Sequence, residues 1–106
     1  MPKYLFTGSF SPEGARGLLD EGGSGRRTAI EKLFASLGGT LESYHFAFGS
    51  DDFFIIGELP DHAAAAAAAL LTSSSGAVHT RTVVLLTPED LDAVTRLSPA
   101  YRAPGR

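Results

Sequence analysis

His45 and Glu58 carry the two side chains best suited to acid/base chemistry, and their spacing can bring them together. They lie in two runs, Thr40 to Phe48 and Phe53 to Leu59, separated by Gly49-Ser50-Asp51-Asp52. Two strand-like runs joined by four turn-forming residues read as a β-hairpin. With a four-residue loop, Phe48 faces Phe53, His45 faces Ile56 and Ser43 faces Glu58. His45 and Glu58 are then diagonal neighbours on one face, about 7 to 8 Å apart, with Phe54 and Ile56 around them. An imidazole and a carboxylate in apolar surroundings are the ingredients of general acid/base catalysis or the start of a metal site. The alternative is a satisfied core histidine or a polar spot in an interface. In the catalytic reading His45 is the acid/base and Glu58 orients it. Tyr4, Phe54, Ile56 and His79 are then the candidate contacts for a small, largely apolar ligand.

The remaining reactive side chains do not add to this pair. His79 falls on the last strand, three strand spacings or about 14 Å from His45, too far to share a metal. His62 follows the helix-capping Asp61 and reads as an exposed helix-start residue. Asp51 and Asp52 offer two carboxylates at a turn, short of the six to eight oxygens that calcium takes. Arg26 and Arg27 follow Gly22-Gly23-Ser24-Gly25, but the spacing of a P-loop is missing and no strand leads directly into it. No Gly-x-Ser-x-Gly nucleophile signature occurs. The residues imply no cofactor and no metal.

The elements that must position these residues can be read from periodicity. Lys3 to Phe10 alternates, with Tyr4, Phe6, Gly8 and Phe10 on one side and Lys3, Leu5, Thr7 and Ser9 on the other. Ser11-Pro12-Glu13 has the N-cap, first-turn proline and acid of a helix start. Gly22, Gly23 and Gly25 predict that this helix is short and that a second begins at Arg26. Ile30, Leu33, Phe34 and Leu37 then form an apolar stripe that stops at Gly38-Gly39. Beyond the hairpin, Pro60-Asp61 starts a helix containing seven consecutive alanines, His62 to Leu71, and Ser73 to Gly76 closes it. Val78 to Leu86 is the fourth strand, and Thr87-Pro88-Glu89 begins a short last helix running to about Leu97. Residues 1–97 read as one domain and 98–106 as a tail that is loose or held by a partner.

The order β-α-β-β-α-β plus a C-terminal helix is the ferredoxin-like α+β pattern: a four-stranded antiparallel sheet in the order 4-1-3-2 with both crossover helices on one side. Such a sheet should be apolar on one face only. Here Phe53, Ile55 and Leu59 oppose Phe54 and Ile56, and Val83 and Leu85 oppose Val84 and Leu86. Something must cover the second face. One candidate is the last helix, with Leu91, Val94 and Leu97; the favoured one is a second subunit, because a ten-residue helix is only about 15 Å long.

Composition agrees with a small partner-dependent domain. The 106 residues carry a formal charge of -3, are 43% hydrophobic and include no cysteine. That balance argues against nucleic acid or an anionic membrane as partner. The lack of cysteine excludes disulfides, zinc-thiolate sites and thiol nucleophiles. The longest apolar run, Ala63 to Leu71, is far short of the ~20 residues of a membrane span. Met1 to Phe10 lacks the pattern of a signal peptide, so a cytoplasmic location is expected. A chain of this length buries only about 60 to 70% of its unfolded surface, which makes an uncovered apolar face costly.

Several pieces taken in order resemble the GYD domain family: Tyr4, Ser11-Pro12-Glu13-Gly14, the Arg27 helix ending at Leu37-Gly38-Gly39, Gly49-x-x-Asp52, Glu58-x-Pro60-Asp61 and Gly76-x-Val78-x-Thr80-x-Thr82. The resemblance runs from about Tyr4 to Leu97. The family's Gly-x-Tyr-Asp pattern precedes its third strand; here Gly49 and Asp52 match, and Asp51 stands at the tyrosine position. The resemblance implies a dimeric α/β barrel, in which two ferredoxin-like subunits pack sheet on sheet. Other families of that fold include cofactor-independent monooxygenases, haem-degrading enzymes and small-molecule sensors, so the chemistry itself is open.

Overall fold

A computed structural model describes all 106 residues. Four strands, β1 (Lys3–Phe10), β2 (Thr40–Phe46), β3 (Phe53–Glu58) and β4 (Val78–Leu85), form one sheet in the order β2-β3-β1-β4, which is the expected 4-1-3-2 read from the other edge. Every neighbouring pair is antiparallel. Three helices, α1 (Pro12–Ser36), α2 (His62–Ser74) and α3 (Pro88–Thr95), complete the βαββαβ unit and its C-terminal addition. No helix is long and apolar enough to cross a membrane.

Directly paired residues share a face of the sheet, so the register sorts the side chains. Tyr4, Gly57 and Val84 form one row on the helix side, and Phe6, Ile55 and Thr82 form the next, with Thr82 and Val84 of edge strand β4 left exposed. Tyr4, Phe6, Phe53 and Ile55 from this side join Ile30 and Phe34 of α1 and Ala65 and Ala68 of α2 in the core. Gly57 makes that packing fit: a Cβ there would run into the Phe34 ring. The opposite side carries Lys3, Leu5, Thr7 and Ser9 of β1, Phe54 and Ile56 of β3, and Val83 and Leu85 of β4. The two-sided apolar character of β3 and β4 is therefore real, with Phe54 and Val83 each more than a third exposed.

The glycine break in α1 falls where the sequence places it: two helical segments meet at a kink at Gly22 (φ 81°, ψ 167°), and the second begins at Gly23, ahead of the expected Arg26, and runs to Ser36. A Cβ on Gly23 would come within 3.1 Å of the Phe46 ring, which leaves little room for a side chain there. The helix stops as expected, with Gly38 in the left-handed region and its N–H donating to the Ala35 carbonyl while the Gly39 N–H donates to that of Phe34, the Schellman arrangement. The hairpin register differs from the expected one. Phe46, not Phe48, pairs with Phe53, so the loop has six residues, and the pairing shifts between Leu41 and Ser43.

The α3 alternative for the second face is excluded by its position. Its start is well defined: Thr87 and Asp90 form a reciprocal capping box behind Pro88. Yet no α3 residue is buried, and Leu91, Val94 and Leu97 remain exposed. The molecule measures 57 × 33 × 22 Å with a radius of gyration of 16.9 Å, against about 13 Å for a compact chain of this length.

Candidate functional site

The residues proposed for chemistry separate into two groups, one on each side of the sheet. His45 pairs with Phe54, whereas Glu58 pairs with Thr40 at the far end of the hairpin. The two share the open face but are four residues apart along it, about 13 Å at ~3.3 Å per residue. The expected diagonal pair is not formed. The reason lies in the loop. Asp52 donates its N–H to the Gly8 carbonyl (2.7 Å) and accepts the Phe10 N–H on its carboxylate (3.0 Å). The Asp51 carboxylate accepts from the Thr7 hydroxyl (2.8 Å) and pairs with the Arg81 guanidinium. Both aspartates are thus committed to β1 and β4, while the Ala47 N–H still donates to the Asp52 carbonyl across the hairpin (2.9 Å) and Phe48 is left fully exposed at the tip.

Glu58 has different company. It lies beside Lys3, its cross-strand partner, whose ammonium meets Glu42 at 2.6 Å. The hydrogen bond and charge of Glu42, with a smaller contribution from Glu58, raise the Lys3 pKa above its usual value. Phe54, Ile56 and His79 are on this open face too, His79 opposite Ser9. Tyr4 is on the other side, so the sheet itself divides the candidate ligand contacts.

Tyr4 belongs to a second site on the helix side. Its side chain is 1% exposed and its hydroxyl is hydrogen-bonded to His62 Nδ1 at 2.8 Å, the two rings meeting edge to face at 5.9 Å. β1 supplies the tyrosine from the core row. His62 is brought to it by Asp61, which caps α2 by accepting the Ala64 N–H at 2.9 Å and so fixes where the helix begins. Alongside this pair runs a cleft of about 490 Å³ between α2 and β4, lined by Ala65, Ala66, Ala69, Leu70, Thr82 and Val84. The alanine run explains the space: one-carbon side chains leave unfilled what longer ones would occupy over edge strand β4. Chemically, the cleft offers apolar walls and a single polar end.

His62 is an exposed helix-start residue, as the sequence reading expects; the feature not legible in sequence is its bond to Tyr4. Its pairing with Tyr4 spans 58 positions and exists only once α2 returns beside β1. The one local signal is that Pro60 and Asp61 fix the helix start, which makes His62 the first helical residue, at the end nearest β3.

The order of motifs, the sheet and its register can now be set against known families. Comparison with curated proteins and with solved structures gives no significant match. The family model described as GYD domain matches residues 4–95, a span that takes in all four strands, the Tyr4–His62 pair and the Gly49 to Asp52 loop, and the chain therefore belongs to the GYD domain family.

Proposed function

We propose that the protein works as a homodimer, two subunits packing open face to open face, each keeping a small-ligand cleft on its helix side. The observation that carries this reading is the sidedness of the sheet. α1 and α2 bury the β1 and β3 part of one face, no helix covers the other, and that second face has an apolar centre of Leu5, Ile56 and Val83 in one cross-strand row. Charged and polar residues border that row: Lys3 and Glu58 at one end, Thr7, Arg81 and His45 at the other. An apolar centre with a polar rim is the ordinary composition of a protein interface. Ile56→Lys places an ammonium in the centre of that row. Sedimentation equilibrium should show a dimer for the parent chain and a monomer for the variant; a parent chain that stays monomeric at tens of micromolar overturns the assembly.

The cleft supports the binding half of the proposal. Its apolar walls and the Tyr4–His62 pair suit a small apolar molecule bearing one hydroxyl. Titration with 1-naphthol, followed by NMR, should shift His62, Ala66 and Ala69 saturably, and Ala66→Leu, which fills the cleft, should abolish the effect. Shifts confined to Phe54, Ile56 and Val83 would contradict the binding assignment.

A further inference from the structure

We infer that the C-terminal arm, Thr87 to Arg106, is an exchanged element that covers the β2–β3 hairpin tip of the other subunit. The inference rests on the face-to-face dimer proposed above. The arm is prepared for a partner: α3 is capped at its start and presents Leu91 and Val94 three residues apart, followed by Leu97 and Tyr101, all exposed. An eight-residue helix is too short to persist by itself, since isolated helices below about 12 to 15 residues are marginal in water. Its own subunit gives it little support beyond a groove at its root, where Val94 approaches Met1, Leu85 and Leu86.

The hairpin tip is the other apolar group without cover. Phe48 is completely exposed and Phe54, one row into the open face, is 40% exposed. The two orphaned groups are at opposite ends of that face. The arm leaves from the Lys3–Leu85 row, whereas the hairpin loop meets the sheet beside Gly8 and Phe53. Two strand rows on the same side, Thr7 and Lys3, are already about 13 Å apart, so an arm cannot reach its own hairpin without crossing the face. The arm on β4 and the hairpin of β2 and β3 are also at opposite edges of the sheet, and a two-fold axis set obliquely across the strands in the interface plane exchanges both end and edge. It sets each arm against the other subunit's tip, and isologous symmetry makes the contact occur twice.

Area gives the second argument. Four strands at ~4.8 Å spacing and about seven residues in length define a footprint of roughly 19 × 24 Å, near 450 Å². Each partner in a standard interface contributes about 800 Å². Side-chain relief makes the accessible area of the face larger than this flat footprint, and exchanged arms with their hairpin contacts extend the interface beyond the sheet.

The absence of cysteine in the chain allows a clean test. The double variant Phe48→Cys/Val94→Cys, oxidised at low micromolar concentration, should form covalent dimer at least tenfold faster than either single variant, because a disulfide requires Cα atoms within about 7 Å. Separately, Leu91→Ser/Val94→Ser should raise the dimer dissociation constant at least tenfold with an unchanged far-UV circular dichroism spectrum. If the parent chain is a dimer but the double-cysteine variant links no faster than the single ones, or the serine variant dimerises as tightly as the parent, arm exchange is wrong and the sheet dimer stands. If the parent chain is a monomer, both are wrong.

Discussion

Tyr4 is held by its hydroxyl as well as by its ring, and the two can be separated. Tyr4→Phe keeps the aromatic packing against Phe6 and removes the bond to His62. Since His62 can turn to water, the expected loss of stability is about 0.5 to 1.5 kcal/mol, measured by urea denaturation, with weaker 1-naphthol binding. Tyr44 gives a pH prediction. Burial pushes its pKa from the usual 10.0 up to about 12, with Arg26 opposing and Glu21 adding. The unfolded chain then ionises this phenol first. Its contribution to stability is fully present below pH 10 and is lost as the pH rises through about 12; the raised Lys3 value acts in the same direction. Urea midpoints should hold level up to pH 10 and fall above it, and Tyr44→Phe should fall less steeply. At this scale the sequence reading identified side chains that matter but not their partners. A four-residue loop would set His45 beside Glu58, but Asp51 and Asp52 instead reach β1 and β4. Those bonds join positions 30 or more residues apart, where no local pattern reports them.

Strands, helices and their order were legible because each has a local cause: alternation in β1, caps at Ser11, Asp61 and Thr87, and a glycine stop after Leu37. The errors arose where a distant element decides. The glycines predict the kink at Gly22, but not the Phe46 ring that packs against Gly23 from another element. Gly57 follows the same logic in a strand. A methyl group there would collide with Phe34, so Gly57→Ala should lower stability by about 1 to 3 kcal/mol through overpacking, visible as an earlier urea midpoint. The alanine run in α2 works in the opposite sense. Its helix propensity predicts α2, but the space it leaves over β4 is a property of the assembled layers. Ala66→Leu should therefore leave the melting temperature unchanged or raised while removing probe binding, a combination that separates cleft filling from misfolding.

For the whole molecule, the uncovered face and the projecting arm point to the same deficit. A chain of 106 residues has little apolar surface to leave in water, and this one leaves an apolar row on its sheet, Phe48 on its hairpin and the stripe of α3. The two-sidedness of β3 and β4 was legible from alternation alone; that α3 does not lie over the face was not, because its reach depends on the direction in which β4 ends. The strand order shows the ferredoxin-like fold, and the open face supplies the physical reason for the second subunit proposed above. The most direct test uses a mixed sample of ¹³C-labelled and unlabelled chains and isotope-filtered NOE spectra, which record only contacts between subunits. The expected result is cross-subunit NOEs from the methyl groups of Leu5, Ile56 and Val83. Their absence from a sample that sediments as a dimer, with contacts arising only from the helices, would contradict the sheet-to-sheet assembly.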